Sequence, residues 1–365
     1  MVFVIILLFT LILLTNFLSN FKLGRIINFL ITLTLLYVIF LPITYTPDKI
    51  IYTYLLNDQE IRIGLEPTFQ IISAYIYKNR LDYEFLHITF SAIYNFIFLL
   101  FIHKLSKNIF VTTLLFIPLV FIFHSTQLRY FLGYYAILLG FYYLYVQQKK
   151  SLAITFMLFG ILSHYSLVLF IPLYFLYHIK GNFFKKIFSI TLIIFVGYTF
   201  LTSVLFPFLG NIRFISYLKG DLVSTYLGGL FNFLPFIPLY ILINEYYHIR
   251  IKLDKTLQED KVFNFLYKMS IFPIIFIGLS FTVQVLGHRM MITGLLFPIL
   301  LFFYKFNKIR SASNKIKFGI VFFFLYLVFF LHLNYSTALF LDNWESVDEM
   351  LKIIESNEII KNIIN

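Results

Sequence analysis

Cysteine is absent from the 365 residues, which removes disulfides, thiolate nucleophiles and cysteine metal sites from consideration. Charge is scarce: 13% of residues are Asp, Glu, Lys or Arg, against about 25% in a soluble domain. No polar stretch is long enough to form a separate soluble domain. The chain has no Walker loop and no GxGxxG, so nucleotide-driven work finds no support. It has no HExxH and no aspartate pair of the DxD kind. Its eight His are scattered without ligand spacing, so neither a metal nor any other cofactor is implied. No basic run marks a voltage sensor and no selectivity-filter motif marks a channel.

What fills the chain instead is apolar. Hydrophobic residues make up 60% and aromatics 21%, and the mean hydropathy is +0.87. Such a composition excludes a soluble globular enzyme, a disordered chain and a nucleic-acid binder. It predicts an all-α polytopic transmembrane helical bundle. Apolar stretches fall near 2–18, 26–43, 83–103, 109–123, 130–146, 151–163, 165–179, 187–206, 233–247, 262–286, 290–304 and 316–333. That is about 12 spans, several of them short or re-entrant against the ~20 residues a crossing needs. Residues 1–333 are expected to form one transmembrane domain, with 334–365 a C-terminal tail. No basic segment or cleavage site precedes residue 20, so Met1–Leu18 reads as a retained span.

The net charge of +12 sets the orientation. With the linker holding Lys22 and Arg25 inside and strict alternation thereafter, 18 Lys and Arg fall inside and 10 outside, with Lys268 within a span. The acidic residues divide the other way, 4 inside and 13 outside. Every inside linker is basic, which fits the positive-inside rule with both termini out.

The outer segments carry the unusual chemistry. Loop 44–82 mixes Asp48, Glu60, Arg62 and Glu66 with aromatics, and Pro67 predicts a helix start. The apolar run Thr68–Tyr77 is too short to span and reads as an interfacial or re-entrant helix, or as an amphipathic helix on the lipid surface. Arg129 follows Gln127 between two short spans, which sets it below the surface unless it snorkels to lipid phosphate. Residues 151–179 must enter and return between two inside linkers, so the apex Ser163-His164-Tyr165 falls short of the outer surface. His288 and Arg289 follow a glycine between two later spans, and Arg213 lies in loop 207–232. Arginines kept outside against the topological bias suit diphosphate oxygens, which their fixed fork matches. The tail from Asp342 onward has the spacing of an amphipathic acidic helix.

These stretches together resemble the EpsG-like branch of the Wzy-type bacterial polysaccharide polymerases. The matching runs are TPDKIIYTY (46–54), GLEPTFQ (64–70), STQLRYFLGYYAILLGFYYL (125–144), GILSHYSLVLFIPLYFL (160–176) and GHRMMITGLLFP (287–298). Two departures stand out: LPITYTPD where Arg-Tyr and glycines commonly precede the Asp, and Tyr130 where an amide or small residue is often seen. The resemblance implies a glycosyltransferase in the bacterial cytoplasmic (inner) membrane with its active site facing outward. It would join oligosaccharide repeats linked to undecaprenyl diphosphate into a surface polysaccharide, an O-antigen, exopolysaccharide or capsule. A chain-length regulator or a flippase of the same pathway would be its protein partner. On this reading Arg129 and Arg289 stabilise the diphosphate, helped by Arg62 or Arg213, and Gln127 and His288 contact substrate. His164 is the first choice for the base that takes the acceptor proton, then Glu66 or Asp48. Tyr45, Tyr52, Tyr54, Tyr130 and Tyr165 stack on sugars or belong to the interfacial aromatic belt.

Three other classes compete. A flippase for lipid-linked oligosaccharide suits the span count but calls for charges along a cavity open to both sides. An O-acyltransferase calls for a buried His or Arg motif on the cytoplasmic side. A purely structural protein leaves the buried ionisable groups without a reason.

Overall fold

The computed structural model describes residues 2–58, 65–179, 181–200, 230, 231, 233–277 and 284–364. The described residues are helical throughout, and no strand occurs among them. The predicted apolar stretches fall mainly on helix where they are described, with breaks at positions such as 41–43, 146 and 177–179. Among the described residues, five helical segments are long and apolar enough to cross a membrane: Lys22–Phe40, Tyr83–Leu105, Ile109–Thr126, Gly287–Lys308 and Ala312–Leu341. The remaining stretches are shorter, broken by 3-10 turns, or diluted by tyrosine and charge. The return predicted at 151–179 is one example. Helix Lys150–Ser163 stops, His164 is extended (φ −158°, ψ 113°), and a 3-10 turn Tyr165–Phe170 leads into the short helix Ile171–Leu176.

Two compact units divide the chain: residues 1–171 with 333–365, and residues 172–332. The first holds α1 (Val2–Leu18), α2 (Lys22–Phe40), α3 (Lys49–Asn57), α4 (Pro67–Lys78), α5 (Tyr83–Leu105), α6 (Ile109–Thr126), α7 (Leu128–Tyr145) and α8 (Lys150–Ser163). Polar side chains pin its helix ends. At one end, Arg25 Nη2 donates to the His103 carbonyl at 2.9 Å, and Asn28 Nδ2 donates to the Thr15 carbonyl at 3.1 Å while its Oδ1 accepts from the Phe110 N–H. At the other, the Thr46 and Tyr83 hydroxyls lie 2.6 Å apart and Lys49 meets Glu84 at 3.4 Å. The basic linkers around Lys22, Lys104 and Lys149 therefore share the first end, as the charge count predicts.

Helices α7 and α8 form a tight antiparallel hairpin. A Cβ on Gly133 would lie 2.5 Å from the Gly160 carbonyl oxygen, and one on Gly160 would lie 2.7 Å from that of Gly133. Seven residues along each helix, Gly140 faces Ala153 and Met157. Small residues let membrane helices approach to backbone contact, where dispersion and weak polar contacts replace the missing hydrophobic drive.

The core between α5, α6 and α7 is aromatic with a polar seam. His124 is fully buried; its Nε2 faces Asn95 Oδ1 and its Nδ1 faces the Tyr135 hydroxyl, both at 3.0 Å. That pairing fits one neutral tautomer, donating from Nε2 and accepting at Nδ1. Tyr94 OH donates to the His124 carbonyl at 2.8 Å.

The tail is two short helices, Glu345–Glu355 and Glu358–Ile364, not one. Asn357 sits between them, buried. Its Nδ2 donates to the Val38 and Ile39 carbonyls, and its Oδ1 accepts from the N–H groups of Ile359 and Ile360. One amide thus caps the end of α2 and the start of the last helix.

The second unit holds α9 (Ile171–Leu176, beginning one residue earlier), α10 (Phe183–Phe200), α11 (Phe236–Leu253), α12 (Lys261–Ile271), α13 (Gln284–Gly294), α14 (Leu296–Phe303) and most of α15 (Ala312–Leu341). Its basic linkers also converge. Buried Arg250 donates to the Tyr246 hydroxyl and to the Tyr304 and Lys305 carbonyls, and Lys268 donates to the Tyr177 carbonyl. Asp260 caps α12 through the Val262 and Phe263 N–H groups and accepts from the Tyr304 hydroxyl and the Lys305 ammonium.

Candidate functional site

At the non-basic end of the first unit, four stretches meet: α3, the entry to α4, the α6–α7 junction and the turn after α8. Arg129 is the second residue of α7, where the helix presents its positive pole and a cation is disfavoured. Its side chain is only 20% exposed. The compensation comes from Glu66, whose carboxylate accepts from Arg129 Nη1 at 2.5 Å and is 8% exposed. Glu66 holds the N-cap position of α4 with extended backbone, yet its side chain caps no N–H. It turns to the guanidinium instead. The guanidinium also lies over the Phe69 ring at 5.2 Å and the Tyr52 ring at 5.8 Å, within cation–π range. Arg129 Nε is buried without a hydrogen-bond partner. A charge-assisted pair with one donor in reserve is suited to a further anion.

His164 reaches this corner from the α7–α8 hairpin. The glycine contact at Gly133 and Gly160 sets the two helices at backbone distance, one turn from Tyr130 and from Ser163. Tyr130 consequently meets the His164 ring edge-on at 5.6 Å, and the Ser163 hydroxyl donates to Thr68 Oγ1 on α4 at 3.2 Å. His164 Nδ1 accepts from the Ser166 N–H at 3.3 Å and lies 2.8 Å from the Ser166 hydroxyl. The ring is thereby fixed in orientation through one nitrogen. Gln127 is the hinge residue between α6 and α7, and its Oε1 is buried without a hydrogen-bond partner.

The sequence pattern of the EpsG family matches residues 27–344. This chain belongs to the EpsG family. It is a family of Wzy-like polysaccharide polymerases, and its helical, apolar architecture agrees with a multi-pass membrane protein of that type. Neither a curated protein nor a solved structure matches the chain.

Within this EpsG-family chain the geometry brings together Glu66, Arg129, Tyr52 and Phe69, and sets His164 against Tyr130. Asp48 occupies the N-cap position of α3, one turn before Tyr52, and makes no capping hydrogen bond. His288 and Arg289 lie on α13 in the second unit, both half-buried. Arg62 and Arg213 lie outside the described residues. The described residues contain no group of His, Asp and Glu arranged to hold a metal. Tyr52 and Tyr130 are buried, at 4% and 1% exposure, so they support the corner from below; Tyr45, Tyr54 and Tyr165 are exposed.

Several positioning residues escape the sequence reading. Ser166, which holds the His164 ring, is visible only as part of Ser-His-x-Ser. The Thr46–Tyr83 contact joins residues that no local pattern links. The glycines do leave a trace: Gly133 and Gly140, like Ala153 and Gly160, are spaced by seven, the signature of a helix-packing stripe.

Proposed function

We propose that the chain polymerises undecaprenyl-diphosphate-linked oligosaccharide repeats into a surface polysaccharide at the outer face of the bacterial cytoplasmic membrane. The observation that carries this reading is Arg129: a buried guanidinium at the wrong pole of its helix, retained by a buried carboxylate. Buried cations without a structural need mark ligand sites in membrane proteins. The basic linkers at the opposite end of the same unit support an outward-facing corner, and the tail that caps α2 lies on that outward side as well.

The chemistry is a glycosyl transfer. The acceptor hydroxyl oxygen bonds to the donor sugar's anomeric carbon, the bond from that carbon to the diphosphate oxygen breaks, and the hydroxyl proton passes to a base. Arg129 is held ready for the charge that develops on the departing diphosphate, the kind of preorganised stabilisation whose loss costs about 10²–10³ in turnover. His164 takes the proton on Nε2 from the tautomer protonated at Nδ1, in which the Ser166 hydroxyl accepts from Nδ1–H and the Ser166 N–H no longer bonds the ring, an orienting role like that of the third member of a triad. The Glu66 pairing favours this assignment, because its carboxylate is already engaged by the Arg129 guanidinium. Asp48 is better placed to bind sugar hydroxyls.

Purified protein in liposomes containing the lipid-linked repeat tests the reading. Polymer of several repeats is expected from the wild type, with about a hundredfold loss in Arg129→Gln and a comparable loss in His164→Ala. Transbilayer movement of the repeat without polymer would instead identify a flippase.

A further inference from the structure

At the end of α4 opposite the Glu66–Arg129 corner, about 18 Å along the helix, α3, α4 and the turn into α5 enclose a cleft of about 580 Å³, within the range that holds small ligands. Thr53, Asn57, Tyr77, Lys78, Arg80 and Tyr83 line it. These groups combine half-exposed aromatic surface, an amide, a hydroxyl and two cations. The cations have no carboxylate in salt-bridge range among the described residues. Asp82, the acidic residue at the rim, is committed to capping α5, where its side chain accepts from the Phe85 N–H at 3.1 Å.

Arg80 holds an unusual position. The end of α4 is closed by the Leu81 N–H on the Ile76 carbonyl and the Arg80 N–H on the Tyr77 carbonyl, the paired bonds of a Schellman motif. The residue at this point of the motif is left-handed, and Arg80 has φ 55°. Glycine is the usual occupant, because any Cβ is disfavoured there. The helix dipole favours a cation near this end and accounts for Lys78. It gives no reason to place a side chain on the left-handed residue itself. Gln148, Lys305 and Asp342 also have positive φ, but of the four only Arg80 lines this cleft.

The geometry points to this cleft as a subsite for an acidic sugar, one carrying a carboxylate or another anionic substituent in the repeat unit. The inference rests on the polymerase reading. Buried rings pack between the cleft and the corner: Tyr83 lies 6.2 Å from Tyr52, and the Arg129 guanidinium lies 5.8 Å over Tyr52. A saccharide seated on Tyr77 and Asn57 would place its anion between Lys78 and Arg80, with the rest of the repeat unit left to span the length of α4 to Arg129. Phospholipid phosphate is the other source of anions at such a depth, and the test separates the two.

The full chain in nanodiscs of phosphatidylcholine alone is titrated with a hyaluronan tetrasaccharide, which carries glucuronate, and with neutral chitotetraose. The acidic probe is expected to bind at least about tenfold more tightly, the scale of one or two charge-assisted hydrogen bonds. In Arg80→Gly that preference disappears while the thermal midpoint holds or rises, since the left-handed strain is relieved; a merely structural arginine would not give this split. Lys78→Gln loses part of the preference. Equal affinity for the two probes overturns the proposal, as does an Arg80→Gly variant that binds like wild type. Loss of the preference on adding phosphatidylglycerol also overturns it, by assigning the cations to lipid headgroups. Binding is read without turnover. A chain that selects the acidic probe but makes no polymer therefore sinks the polymerase reading alone, and polymer formed without probe selectivity sinks the subsite alone.

Discussion

Removing the charge of Glu66 while keeping its shape separates the positioning role from the base role. In Glu66→Gln the amide oxygen still accepts from Arg129 Nη1, so the hydrogen bond survives and the ion pair does not. The contact is 2.5 Å and the two side chains are 8% and 20% exposed. With charge centres roughly 4 Å apart and an effective dielectric near 20, the attraction is about 4 kcal/mol. Loss of stability by about 2–4 kcal/mol is expected, because the desolvated guanidinium is left without a counter-charge. Arg129→Met should cost about 3–5 kcal/mol for the converse reason. The double variant Glu66→Gln with Arg129→Met should lose much less than the sum, with a coupling of about 2 kcal/mol or more. Reversible unfolding in mixed micelles, followed by the fluorescence of the single Trp344, gives all four corners of the cycle. Additive single losses of under about 0.5 kcal/mol would refute the account of Arg129 as a buried cation held by Glu66. Polymer synthesis adds the second readout. Glu66→Gln should retain measurable turnover; a stable variant with none would make Glu66 the base and displace His164.

Other outcomes follow from the same contacts. Gly160→Ala and Gly133→Ala meet backbone oxygen at 2.7 and 2.5 Å, so each should destabilise by about 1–3 kcal/mol and cut polymer yield by shifting His164; Gly140→Ala first meets the flexible Met157 side chain at 2.7 Å and should be milder in both assays. Ser166→Ala should lower turnover and move its pH profile, with Ser166→Thr restoring both. Burial raises the Asp260 pKa, but hydrogen bonds from Lys305, the Phe263 N–H and Tyr304 outweigh it and leave the carboxyl below its ordinary value. Its contribution to stability is therefore full above about pH 3.9 and is lost as pH falls through the depressed pKa; acid melts of Asp260→Asn should lack that component. Asn357→Ala should free the tail by removing about 1 kcal/mol of capping, seen as faster hydrogen exchange across 353–364 with the membrane helices unchanged.

The helical class was legible because each apolar run carries its own signal, and the start of α4 at Pro67 was legible because proline and an extended preceding residue mark a first turn. Arg129 and His164 stood out for a related reason: a charged or titratable residue in an apolar background is conspicuous on its own. The pairings were not legible. Glu66 and Arg129 are 63 residues apart, and nothing in either local sequence names the other. The division of 165–176 into a 3-10 turn and a short helix was hidden because an apolar run reads the same whether or not it is continuous helix. The break in the tail at Asn357 was hidden because its partners, the carbonyls of Val38 and Ile39, lie over 300 positions away.

The other cations in this molecule show what a structural arginine or lysine looks like in it. Arg25 donates to the His103 carbonyl near the end of α5. Arg250 donates to the Tyr304 and Lys305 carbonyls just past α14. Lys268 donates to the Tyr177 carbonyl beyond α9. In each case positive charge meets carbonyls left over where a helix ends, where the dipole also favours it. These cations close helix ends at the basic linkers and need no ligand to explain them. Arg129 reverses every part of that pattern. It sits at a helix start, contacts no carbonyl in the described structure, and depends on a second charged residue that itself gave up a capping bond to reach it. A buried ion pair is weak evidence of a role in stability, because well-packed apolar residues of similar size often serve as well. Binding of an anionic substrate is the role proposed for Arg129.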